Sequence, residues 1–258
     1  MNVPVKLYKY RRMSVKSIQS IACNIVYFAE PSSLNDPFDC RIHPTSYTDG
    51  TEDEFRELFT RLAKRNPQIE NVAEEVERMI SERLHLDTDK LEKAWVDTQN
   101  GENKKVGLFC LSADPTHILM WSHYADDHKG FCLEFSTVNS IFKMARNVEY
   151  PPSYPNHRFI DCMNDRELLH KLTLFTKANL WEYEQEWRVL GNFGMVENGK
   201  GFYRFAKEAL TGIIFGWSMP TEDKVVLGKL VEGRNPSVQL YQAHRRKREF
   251  KMQIVPIS

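Results

Sequence analysis

The spacing of apolar residues changes twice along this chain, and that change constrains the fold more than any single motif does. Between 51 and 100, Phe55, Leu58, Phe59 and Leu62, then Val72, Val76, Met79 and Ile80, then Leu91, Ala94 and Trp95 recur at the spacing that puts side chains on one face of a helix. The spacing predicts two or three helices there, with solvated, charge-dense outer faces. On either side the apolar residues come as short runs bounded by turn residues, the pattern of strands. Strands are expected over 5–10, 25–29, 106–111, 131–135, 187–193, 213–215, 238–241 and 251–257, with a short helix over 14–22. Further helices are expected over 114–125, opened by Asp114 as N-cap and Pro115 at the first helical position, over 166–179, and before Gly233 with Thr221 as cap. The fold class that follows is α+β: a mixed, mostly antiparallel sheet in a single domain over 1–258, with an inserted helical segment at 45–105.

Composition removes several function classes. Lysine plus arginine equal aspartate plus glutamate at 35 each, so no global field favours nucleic acid or membrane, and any polyanion contact must be local. The first residues lack the apolar core of a signal peptide, and no apolar run approaches the ~18 residues of a membrane span. A cytoplasmic protein without a membrane partner is expected. Cysteines 23, 40, 110, 132 and 162 form no CxxC pair, which argues against a disulfide framework or a thiolate zinc site.

Two islands carry chemistry. In Leu180-Trp-Glu-Tyr-Glu-Gln-Glu-Trp-Arg-Val-Leu190, an extended backbone would put Glu182, Glu184, Glu186 and Arg188 on one side and Tyr183, Trp187 and Val189 on the other. Carboxylates that close raise one another's pKa, so the stretch is either an exposed strand with Glu186 paired to Arg188 or the edge of an active site. In the second island, 117–130, His117, Trp121, Tyr124 and His128 share a helical face, and His123 with Asp127 forms an i, i+4 pair. Three readings stand. The pair is part of a metal site with a third ligand, or the aromatics are core, or the helix walls a pocket for a flat ligand on which Tyr124 or Trp121 stacks and to which His123 donates. No metal ligand is assigned. Asn35-Asp-Pro-Phe-Asp39 reads as a turn, alternatively as a rim loop whose Asp36 or Asp39 touches substrate. The basic run 243–248 reads as a solvated loop between strands or as a contact to the phosphates of a nucleic-acid acceptor.

Four segments, Leu7-Tyr-Lys-Tyr-Arg11, Leu34-Asn-Asp-Pro-Phe-Asp-Cys40, Met120-Trp-Ser-His-Tyr-Ala-Asp-Asp-His-Lys-Gly-Phe-Cys-Leu-Glu-Phe135 and Trp181-Glu-Tyr-Glu-Gln-Glu-Trp-Arg188, resemble the successive motifs of the bacterial family catalogued as domain of unknown function 2971. A weaker resemblance is to the ADP-ribosyltransferase plan: a first strand with basic and aromatic residues, a later strand ending in Ser, and a Glu-x-Glu opening a strand. That likeness implies Arg11 or Tyr10 in the first position, Ser112 in the second, and Glu184-Gln-Glu186 in the third. Glu186 would then stabilise the cation that forms when the nicotinamide bond of NAD breaks, and Glu184 would position the acceptor. Arg11 would hold the diphosphate, and Tyr124 or Tyr27 would stack on nicotinamide. What the likeness implies is NAD-dependent ADP-ribosyl transfer, with NAD as substrate, to a protein or nucleic-acid acceptor. The setting it implies is a bacterial toxin or phage-defence effector, with a cognate antitoxin or defence partner. The residues leave two other classes open: a metal-dependent hydrolase or nuclease using His123, Asp127 and the glutamates, and a non-enzymatic interaction module.

Overall fold

In the computed structural model, which describes residues 2–191 and 201–257, the short apolar runs pair and the helical block packs beside them. The strands are β1 (Lys6–Arg11), β2 (Ile25–Phe28), β3 (Gly107–Ser112), β4 (Phe131–Ser136), β5 (Arg146–Asn147), β6 (Glu186–Gly191), β7 (Gly201–Arg204), β8 (Leu210–Phe215), β9 (Gln239–Arg245) and β10 (Met252–Pro256). The helices are α1 (Val15–Cys23), α2 (Glu52–Lys64), α3 (Val72–Ser81), α4 (Thr88–Asn103), α5 (Ile118–Tyr124), α6 (Phe159–Asn164), α7 (Arg166–Leu174) and α8 (Thr221–Arg234). One sheet runs β10-β9-β8-β4-β1-β3-β6-β5 and a smaller one pairs β2 with β7. Neighbours are antiparallel except β8 and β9, which are parallel because α8 supplies the crossover such a pair needs. The expected α+β class and mixed, mostly antiparallel sheet are therefore present.

The two larger apolar clusters among the described residues are the sheet core and the helical core, with smaller ones around Trp121 and around Phe175. Leu7, Phe109, Phe135, Trp187, Val189 and Phe215 belong to the sheet core. Phe55, Trp95, Phe159 and Leu169 belong to another, where α2, α3 and α4 meet α6 and α7. The helical stretch starts where it does because Thr51 and Glu54 close a reciprocal capping box, satisfying two otherwise orphaned N–H groups. Asn71 and Asp87 cap α3 and α4 by the same logic. Among the described residues no helix is long and apolar enough to cross a membrane.

Several elements depart from the sequence expectation. Helix α5 begins at Ile118 with His117 at the cap position, not at Asp114, because the Asp114 carboxylate instead closes a turn, accepting from the N–H and hydroxyl of Thr116. Helix α7 stops at Leu174, not at 179: the chain leaves the helix to pair with Glu149, which donates to Phe175 O and accepts from the Lys177 N–H. Helix α8 has Pro220 at its cap, and Thr221 is its first residue. Of the strand expected over 187–193, residues 192 and 193 lie outside the described residues.

Two glycines hold the turn after α5 against the sheet. Asp126, Asp127 and His128 take φ of 51, 50 and 67° in succession, a left-handed run unusual outside glycine. A Cβ on Gly130 would lie 2.2 Å from the Arg11 carbonyl oxygen, and one on Gly216 would lie 2.1 Å from that of His128. This close approach fixes the end of β1, where Arg11 sits.

Candidate functional site

Alternation along β1 places Leu7, Lys9 and Arg11 on one face and Tyr8 and Tyr10 on the other. Leu7 is wholly buried in the sheet core. Strands β1 and β3 pair only at Tyr8 and Ser112, and a cavity of about 210 Å³ lined by residues of both strands, Lys9 and Arg11 among them, lies there. Lys9 Nζ donates to the Cys110 carbonyl at 2.6 Å, and Arg11 Nε is buried with no hydrogen-bond partner. Among the described residues neither cation reaches a carboxylate within ion-pair distance, although buried cations are ordinarily paired. Burial, then the neighbouring Arg11, pulls the Lys9 ammonium down to about 8, and burial lowers Arg11 as well.

The opposite wall is built by the segment from α7 to β6. A 3-10 turn over Asn179–Glu184 and a left-handed Gln185, φ 43°, bring Glu184 and Glu186 onto one lysine. Lys177 Nζ lies 2.6 Å from Glu184, 3.6 Å from Glu186 and 3.8 Å from Asp39. Beneath it Arg188, wholly inaccessible, grips Asp39 at 3.0 and 2.6 Å and Glu186 at 2.8 and 2.9 Å, and donates to Leu174 O. Bidentate pairing of this kind is the strongest form of the ion pair.

The two glutamates differ in protonation behaviour. Burial raises Glu184, and the Glu186 charge adds to that against the pull of Lys177. Burial acts upward on Glu186 too, but Arg188 and Lys177 outweigh it and hold the carboxylate down at about 2. A neighbouring pair with opposed shifts is the arrangement that divides acid from base or electrostatic roles. Tyr124 ties Glu184 to the 35–39 loop: its hydroxyl donates to Glu184 at 2.6 Å and accepts from Asn35 at 3.4 Å. Tyr8 and Tyr27 add further aromatic surface, Tyr27 half exposed and packed edge-on to Phe202.

Of the residues singled out from the sequence, Tyr10, Arg11, Tyr27, Ser112, Tyr124, Glu184 and Glu186 line this one cavity. Two of them are committed elsewhere. Ser112 Oγ donates to Glu184 O and accepts from the Asp114 N–H, so it positions the glutamate turn. Tyr10 donates to Asp114 O and packs edge-on to Trp121. His123 is exposed and does not line the cavity; its ring lies beside Tyr124 and Tyr183. The His123–Asp127 helical pair does not form, because α5 ends at Tyr124 and Asp127 is left-handed. Among the described residues no group of three or more His, Cys, Asp or Glu is placed to hold a metal.

The extended reading of the glutamate stretch holds only from Glu186 onward, since Glu182 sits in the 3-10 turn, exposed. The Glu186–Arg188 pair is real but buried, not exposed. In the Asn35–Asp39 loop, Asp36 makes the turn bond to the Phe38 N–H, while Asn35 and Asp39 reach the cavity. Sequence reasoning missed Lys9 and Lys177. Lys9 was recoverable from the alternation that pairs it with Arg11, whereas Lys177 carried no signal, falling in a stretch that reads as solvated helix.

Residues 120–189 match the family model described as Protein of unknown function (DUF2971), an interval that contains Tyr124, Lys177, Glu184, Glu186 and Arg188. The match supports the family resemblance carried by the motifs. No curated protein and no solved structure matches the chain significantly.

Proposed function

We propose that the cavity binds the nicotinamide–ribose end of NAD and that the protein cleaves the bond between them, passing the ADP-ribosyl group to an acceptor. The observation that carries this reading is the polarity of the cavity: among the described residues two cations without carboxylate partners on β1 share one tyrosine-lined cavity with a fixed glutamate pair. A diphosphate suits Lys9 and Arg11, and a planar ring suits the tyrosine faces. Heterolysis of the glycosyl bond leaves positive charge on the ribose, and Glu186, kept ionised by Arg188 and Lys177, supplies a preorganised negative charge for it. Glu184, whose proton is held more tightly, is the group to orient the acceptor hydroxyl or amine. At about 210 Å³ the cavity is smaller than the ~300–1,000 Å³ of sites that engulf a whole drug-sized ligand, so the adenosine end lies outside it.

Arg11→Gln tests the reading cleanly, because among the described residues Arg11 makes no ion pair whose loss would unfold the protein. Calorimetric titration with NAD should show binding to the wild type and at least tenfold weaker binding to Arg11→Gln, at an unchanged melting temperature. Nicotinamide release from NAD in the presence of cell extract should accompany it. Neither binding nor nicotinamide release in the wild type would overturn the proposal.

A further inference from the structure

The hairpin joining β9 to β10 carries a charge pattern the cavity does not use. Residues 244–251, His-Arg-Arg-Lys-Arg-Glu-Phe-Lys, are all exposed. The only acid among them, Glu249, is taken by Arg246. Among the described residues Arg245, Lys247, Arg248 and Lys251 have no carboxylate within ion-pair reach. In a chain whose charges otherwise balance, this is a local surplus at the tip of one hairpin. Aromatic surface is interleaved with it: Phe250 is 94% exposed and Trp217 40%, and Arg245 lies over the Trp217 ring at 4.7 Å. Phe250, flanked by Glu249 and Lys251, buries almost none of its ring in the fold.

We propose that this hairpin is a binding surface for single-stranded nucleic acid. Phosphates would meet the four unpaired cations, and an unstacked base would lie on Phe250, the combination that single-strand binders use without sequence preference. A duplex keeps its bases stacked and offers Phe250 nothing, and a membrane has no flat ring to stack. The surface is joined to the cavity by a short chain of hydrogen bonds: Met252 N–H donates to Thr116 O, Thr116 is bonded to Asp114, and Asp114 O accepts from Tyr10 and Ser112, both of which line the cavity. The surface does not depend on the NAD reading, because binding alone tests it.

The test is fluorescence anisotropy with labelled oligo-uridine and oligo-thymidine, the matching duplex, and phosphatidylserine vesicles, across roughly 50–200 mM salt. Four phosphate contacts on a single strand predict a slope of log K against log salt of about −3. The pair Lys247→Gln and Arg248→Asn should cut that slope by about half, and Asn is chosen because residue 248 has φ of 69°, which Asn tolerates. Phe250→Ala should weaken single-strand binding roughly tenfold and leave the slope unchanged. No binding at low salt, equal binding of duplex or vesicles, or a slope indifferent to the charge variants would each overturn the proposal.

Discussion

Replacing Glu186 with glutamine removes one charge and almost no volume, and the buried network fixes what that should cost. Glu186 takes two hydrogen bonds from Arg188 and lies near Lys177. Its carboxyl is held at about 2 against an ordinary 4.5, a difference that corresponds to about 3 kcal/mol of stability at neutral pH. Breaking a buried pair from one side costs ~3–5 kcal/mol, and because Asp39 stays on Arg188 the lower end applies. The two routes agree, and for a chain of this size they predict a melting temperature roughly 6–12 °C lower. The sign with pH follows from the folded value lying below the unfolded one. The contribution is complete above about 4.5 and fades as pH falls toward about 2. Thermal unfolding of wild type and Glu186→Gln should therefore differ most at neutral pH, with the gap about halved near pH 3 and closing only as pH falls to about 2. A gap under about 2 °C, or one that does not narrow on acidification, would refute the assignment of Glu186 as the buried counter-ion of Arg188.

Lys9 gives a second, opposite pH signature: its cation is held down to about 8 by burial and by Arg11, so diphosphate binding should weaken as pH rises through that value, and Lys9→Met should abolish the dependence in a titration series. Stability should meanwhile rise from about pH 8 to 10.5, since the unfolded lysine alone keeps the proton there. Ser112→Ala should cost about 1–3 kcal/mol in denaturant unfolding by orphaning the Asp114 N–H and the Glu184 carbonyl; an unchanged midpoint would show that those groups find other partners. Gly130→Ala, with its Cβ against the Arg11 carbonyl, should destabilise by at least about 3 kcal/mol and displace Arg11, read as weaker NAD binding in whatever fraction still folds.

The elements were legible where a period governs them: alternation in β1, β3 and β4, and helical spacing in α2 to α4. The convergence of Arg11, Tyr27, Tyr124, Glu184 and Glu186 on one cavity was legible only as motif resemblance, since these residues lie far apart in the chain. What escaped was set by tertiary partners. Helix α7 reads as continuing to 179 because Thr176, Lys177 and Ala178 do not forbid a helix; it ends because Lys177 has three carboxylates to reach. Glu186 and Arg188 read as a surface pair because Asp39, which permits their burial, is 149 residues from Arg188. The His123–Asp127 pair fails for a local reason: α5 ends at Tyr124, three residues before Asp127, which lies in the left-handed turn.

That separation bears on how the molecule comes into being. Strand β1 ends up in the centre of the large sheet, with Tyr8 opposite Ser112 and Leu7 opposite Phe135, so it must wait for partners made more than a hundred residues later. Asp39 waits longer still, until β6 delivers Arg188. A nascent or truncated chain ending before β6 holds a carboxylate awaiting its guanidinium and half a cavity with no acidic wall. Pairings this distant are the kind that slow folding. The cavity is therefore complete only once the chain through Arg188 has been made, and a fragment that stops before β6 should lack it.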